Sequence, residues 1–181
     1  RSFREPSGPL DDHALATRLA YFLWSTTPDE SQLALAAKGE MRKPAVLRAQ
    51  VERMLAHPKA RAFTENFTGQ WLSLRDIAAT TPDKALYPEF EEWLQWSAVR
   101  ETHLFFEELL KQNLSVKNFV DSDFALLNGR LARHYGIPDV HGVAFRKVTL
   151  KPEWHRGGVL THASVLKVTA NGTDRKSTRL N

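Results

Sequence analysis

Apolar residues recur every three or four positions along most of this chain, and each run is bounded by a residue that starts or stops a helix. That punctuated spacing commits the chain to a multi-helix fold before composition is considered. Asp11 or Asp12 is placed to cap a first helix reaching about Trp24, with Leu15, Leu19, Phe22 and Leu23 on its inner face. Thr27-Pro28-Asp29-Glu30 opens a second, with Thr27 as N-cap, Pro28 at the first position and Glu30 completing a capping box; Gly39 closes it. Pro44 opens a third helix, striped by Leu47, Val51, Met54 and Leu55, which His57-Pro58 breaks. A fourth carries Ala60, Phe63, Phe67, Trp71 and Leu74.

After a Pro-bearing loop from Asp76 to Pro88, the longest helix runs from about Glu89 to Lys111 and stops at Asn113. Phe90, Trp93, Leu94, Leu104 and Phe105 face its core side, and a short helical piece spans Val116 to Val120. Asp121 or Ser122 caps a further helix from Asp123 to about Tyr135, ended by Gly136 and Pro138. Gly129 inside that helix costs about 1 kcal/mol against Ala and marks a weak or closely packed point. Beyond Pro138 the pattern changes: Ala144 to Leu150 alternates as a strand, and Gly157-Gly158 leads into an apolar helical stretch from Val159 to Val168. The expected fold is mostly α, an irregular bundle of about six helices with a short β element near the C-terminal junction.

Composition excludes several classes. A hydrophobic content of 42%, with five Trp and ten Phe, supplies a core and argues against disorder. No apolar run approaches the ~20 residues of a membrane helix, so no membrane span is expected. No signal peptide pattern occurs at Arg1-Ser2-Phe3. The absence of Cys excludes disulfides, thiolate metal sites and Cys-x-x-Cys-His haem attachment within this stretch, so no cofactor is expected in it. The net charge of +4 contains +2 from Asp174 to Asn181, and the remaining Lys and Arg form no stripe, so no nucleic-acid partner is expected. Those last eight residues, DRKSTRLN, read codon by codon as a common sequencing-library adapter, and the natural chain is expected to continue past about Thr173.

Candidate chemistry centres on the long helix. Glu101 and Glu108 fall within about 20° of each other among apolar residues, as a paired acid/base or metal site would require. The structural alternative is ion pairing to Arg18, Arg130 or Arg133. Seven residues span ~10 Å of helix, too far for one shared ion without further ligands, and the structural role is the stronger expectation. His103 and Glu107 have the i, i+4 spacing of two metal ligands, but the same spacing fits an exposed helical pair. His155 and His162 flank Gly157-Gly158 and can converge with His134 or His141 on a metal or haem iron. Asn66 and Gln70 are read as buried hydrogen-bonding groups that set helix register. Neither Gly-x-Ser-x-Gly nor a phosphate-binding Gly loop occurs. Asn171-Gly172-Thr173 fits an N-glycosylation acceptor.

Four segments, Leu10 to Ser25, Phe67 to Asp76, Arg100 to Leu110 and Asp121 to Pro138, together resemble the planctomycete-type PSD family, domain of unknown function 1592. Arg156 to Thr173 looks like the opening of a neighbouring family, domain of unknown function 1588. The resemblance implies a linker over residues 1–9, a helical domain over 10–138, a connector over 139–155 and a second domain beginning at 156. It further implies a large exported bacterial protein at the periplasm or cell surface, with a haem c domain upstream and other domains of the same polypeptide as partners. Gly129 departs from the charged residue more usual there, and the Thr-Ser-Pro-Val-type continuation gives way to the adapter-like string. No reaction transfers from the family. The readings carried forward are a non-catalytic docking or structural module, a metal- or haem-linked oxidoreductase domain using Glu101 and the junction histidines, and an extracellular polysaccharide-binding module using Trp96 or Trp154.

Overall fold

The computed structural model describes residues 10–79, 81–82, 85 and 87–170 of the chain. The linker over 1–9, the glycosylation pattern at Asn171 and the adapter-like string lie outside the described residues. The chain is mostly helical, with one small antiparallel sheet, and divides between Phe63 and Thr64 into two compact units.

The first unit is built from α1 (Asp12–Trp24), α2 (Glu30–Ala37) and α3 (Pro44–Ala56). Asp11 caps α1 by accepting from the Ala14 amide at 2.7 Å. The buried face of α1 is Ala16, Ala20, Leu23 and Trp24, and Phe22 is 62% exposed. Expectation and structure differ here because small Ala side chains let α1 approach its neighbours closely, which turns the larger residues to the flanks. The α2 cap is Asp29 with Gln32, not Thr27 with Glu30. A tertiary contact selects it: Arg53 on α3 donates to both Asp29 carboxylate oxygens, at 2.8 and 3.2 Å. Trp24 Nε1 donates to the Met54 carbonyl at 3.0 Å inside a cluster with Ala20 and Leu23.

The division falls inside α4 (Arg61–Trp71). In the second unit the buried face of α4 is Thr64, Thr68 and Gly69. Asn66 is half-buried and accepts from Arg75 at 2.7 Å on the surface, and Gln70 is exposed. The expected register pair is therefore corrected: the Thr68 hydroxyl satisfies itself on the Thr64 carbonyl, and the small polar face packs where large amides do not fit. Phe67 and Trp71 are 42% and 48% exposed.

The long helix α5 (Glu92–Lys111) buries Leu94, Ala98, Phe105 and Leu109 and leaves Trp93 and Trp96 outside. Beyond it, the expected helix from Asp123 is replaced by strand β1 (Phe124–Leu127), which pairs with β2 (Arg146–Thr149) in the register Phe124 to Thr149 and Leu127 to Arg146. Strand pairing satisfies the backbone while burying Phe124, Ala125 and Leu127. The helix starts six residues later as α6 (Gly129–Tyr135), capped by Asn128, whose side chain accepts from Leu131 N at 2.9 Å and donates to Ser97 at 2.9 Å. Gly129 marks a close approach, since a Cβ there would lie 2.9 Å from the Gly142 nitrogen. A 3-10 turn (Val159–Thr161) and α7 (Ala163–Thr169) complete the unit.

Candidate functional site

One buried polar cluster joins α5, α6 and the segment entering α7. Glu101 on α5 is 1% exposed. It lies on the same face as Leu94, Ser97, Ala98 and Phe105, so helix period alone carries its carboxyl inward. Tyr135 at the end of α6 donates its hydroxyl proton to Glu101 Oε2 at 2.6 Å. The same hydroxyl oxygen accepts from the Ala163 amide, the first residue of α7, at 2.8 Å. One side chain thus links three helices, and it uses the otherwise unpaired amide at a helix start to do so.

The facing wall is the loop from Arg156 to His162. The Arg156 guanidinium lies 3.6 Å from the centroid of the Tyr135 ring and donates to the Thr161 carbonyl at 2.7 Å. Thr161 Oγ1 accepts from Gly157 N and donates to the Gly158 carbonyl, closing the loop on itself. Its two glycines are there because nothing larger fits. A Cβ at Gly158 would sit 2.5 Å from the Phe119 carbonyl oxygen, and one at Gly157 3.0 Å from Asp121 Oδ1. Next in the chain, His162 is 3% exposed, with Nδ1 2.9 Å from Thr102 Oγ1 and its ring edge-on to Phe105. Thr102 Oγ1 also lies 2.9 Å from Ser164 Oγ.

Burial sets the protonation states. It pushes the Glu101 carboxyl up to about 8, against the opposing pull of the Tyr135 hydrogen bond and the Arg156 charge. It pushes the Tyr135 hydroxyl well above its ordinary range, with Glu101 acting in the same direction. It holds His162 down at about 3, assisted by Arg156. Near neutral pH the cluster therefore contains a protonated acid, a neutral phenol and a neutral imidazole, with Arg156 as its cation. The cavity bordered by Glu101, Phe124, Tyr135, Arg156, Thr161 and His162 is about 10 Å³, room for roughly one water molecule. Such a site can hold and release a proton.

The other sequence candidates disperse. Glu108 pairs with Lys147 on β2 at 2.9 Å rather than with Glu101, because the helical rise separates the two carboxylates. Arg130 pairs with Glu91 at 2.6 Å and also donates to the Glu89 carbonyl, while Arg133 is exposed on α6 and Arg18 is exposed on α1. The expected Arg partner of Glu101 is thus corrected to Tyr135, with Arg156 acting through space. Glu107 binds Arg100 at 3.5 Å and Lys111 at 3.7 Å, and His103 is half-buried on the same helix. His134, His141 and His155 are exposed, so His162 enters the cluster without them. Among the described residues no three His, Asp or Glu side chains converge on a metal position. Sequence reasoning did not find Tyr135, Arg156, Thr102 or Ser164 as members of one cluster. The legible hint was the run of Ser97, Glu101 and Thr102 on an otherwise apolar helix face.

The family model for PSD4, protein of unknown function DUF1592, matches residues 10–137. The chain belongs to this family. No curated protein matches it, and no solved structure does. The match covers Glu101, Thr102 and Tyr135, while Arg156, Thr161, His162 and Ala163 lie beyond it in the same compact unit. The cluster therefore joins side chains of α5 and α6, within the match, to the segment entering α7, beyond it.

Proposed function

We propose that this PSD4 domain is a non-catalytic structural module that docks the segment following it. One observation carries the reading: the Tyr135 hydroxyl bonds Glu101 within the domain and the Ala163 amide beyond it. A group shared in this way serves cohesion, and the cavity beside it has room for about one water molecule. The setting we propose, on the strength of the family resemblance, is a larger exported polypeptide with a haem c domain upstream and the neighbouring PSD-type domain opening at Arg156. The test is limited proteolysis of the native chain and Tyr135→Phe. Cleavage between Arg156 and Thr169 is expected to accelerate several-fold in the variant, with cleavage in α1 to α3 unchanged. Equal rates in both proteins would remove the docking reading. Sequencing the source locus for an upstream Cys-x-x-Cys-His tests the haem setting separately.

A second reading, recognition of an extracellular polysaccharide, is favoured by Trp93 and Trp96, which stack at 4.8 Å while remaining 40% and 50% exposed. Titration of Trp fluorescence with several polymers checks it, and a flat response in all of them retires it.

A further inference from the structure

We propose that Glu101 is a proton-binding site whose occupancy governs how firmly the segment from Arg156 to Thr169 is held against α5 and α6. This rests on the docking reading above. The carboxyl is almost fully enclosed, and its described hydrogen bond, from Tyr135, takes Oε2. Among the described residues no Lys, Arg or His side chain lies within ion-pair distance of the carboxyl, the nearby Glu107 and Glu108 taking Arg100, Lys111 and Lys147.

Charged and titratable groups approach from every element around it, and Lys167 of α7 stands over the Phe90 ring. On α5, Glu107 is held by Arg100 and Lys111, and Glu108 by Lys147 of β2. From α6 come Tyr135 and the exposed His134. β1 presents Phe124 and Ala125 to the cavity, and Asp121 lies against Gly157. The loop brings His162, which is neutral, and Arg156, whose guanidinium is already engaged by the Tyr135 ring and the Thr161 carbonyl. An ionised Glu101 would therefore gain a stronger bond from Tyr135 and the distant attraction of Arg156, but would lack water.

The cavity admits about one water molecule, too few to solvate a carboxylate. More water enters only if a wall moves. Three walls are α5, α6 and the sheet, whose residues form the hydrophobic core of the unit. The fourth is the loop containing Arg156, Gly158, Thr161 and His162, which is seated by Val159 among Phe105, Leu109 and Phe124 and by hydrogen bonds to Thr102 and Tyr135, but has no helix or strand pairing over 155–158. It is the wall that yields. Loss of the Glu101 proton, which burial delays until about pH 8, thus loosens the docked segment, and rebinding of the proton restores it.

The full chain is followed by amide hydrogen exchange, corrected for the intrinsic pH dependence, at about pH 6 and about pH 9.5. Protection across Val159 to Thr169 is expected to fall by about tenfold or more at the higher pH, against α3 amides as an internal reference. Glu101→Gln, which keeps the hydrogen-bonding shape without an ionisable proton, is expected to stay protected at both. Protection that is high and equal at both pH values in the native chain overturns the proton link and leaves docking standing, as does an equal fall in E101Q. Exchange at free-peptide rates at both pH values overturns docking itself. Should E101Q fail to fold, the infrared band of a protonated carboxyl in the native chain decides. Its loss near pH 8, with protection declining below that pH and level above it, supports the proposal; an ionised Glu101 already at about pH 5 overturns it.

Discussion

Gly129 shows how a substitution changes sign once its surroundings are known. In the interior of a helix, Gly to Ala stabilises by about 1 kcal/mol. Here the added Cβ would meet the Gly142 backbone at 2.9 and 3.0 Å, and the Gly129 amide already donates to the Gly142 carbonyl at 2.8 Å. Gly129→Ala is therefore expected to destabilise the second unit by about 1–3 kcal/mol in denaturant titration. Gly158→Ala is expected to be worse, at about 2–4 kcal/mol, because a Cβ contact of 2.5 Å to the Phe119 carbonyl adds to a φ of 68°. A stabilising outcome at either position would mean that the loop against it is free to retreat. Both glycines stand out in the sequence, but neither clash is legible there, since the backbone each one meets is more than ten residues distant.

Helix starts were the most readable elements, and the exceptions share one cause. Asp11 at α1 and Pro44 at α3 follow local chemistry alone. The α2 cap moved to Asp29 because Arg53 grips that carboxylate, and the expected helix at Asp123 gave way to β1 because β2 is there to pair with it. In both, a contact distant in sequence outweighed a local preference worth roughly 1 kcal/mol or less per residue. Asn128 concentrates this coupling, since one buried side chain caps α6 and bonds Ser97 on α5. Asn128→Ala is expected to lower stability by about 2–3 kcal/mol, combining loss of the cap with an unsatisfied Ser97 hydroxyl. Asn128→Ser, which can still cap, should recover part of that loss in the same denaturant measurement.

The two units are expected to respond oppositely to pH. In the first, burial raises the pKa values of Asp12 and Asp29, but hydrogen bonds from Arg42, Arg53 and backbone amides outweigh it and hold both below their ordinary value of 3.8. Their contribution is present above that pH and is lost as pH falls through the lowered folded values. In the second, the Glu101 pKa is raised from 4.5 to about 8. The folded unit binds a proton that the unfolded chain has released, so its contribution is full below 4.5 and declines until about pH 8. The loss is of the order of a few kcal/mol. Urea unfolding followed by exchange in each unit should show α1 to α3 weakening toward low pH and α5 to α7 weakening toward high pH, with E101Q flattening the second trend alone. Parallel trends in both units would contradict the assignment.

A mostly helical chain, the main helix boundaries, the late strand and the family were all legible because each rests on local spacing or on matched segments of sequence. Glu101 was also legible as an oddity, a carboxylate on an apolar stripe. Its partner was not: an Arg was the chemically obvious choice, and the fold supplies the Tyr135 hydroxyl instead. That outcome depends on the angle between α5 and α6 and on the path of the Arg156 loop, which no periodicity encodes. Enclosure by three distant segments turns Glu101 from an expected ion-pair partner of an Arg on a neighbouring helix into a buried group that keeps its proton near neutral pH.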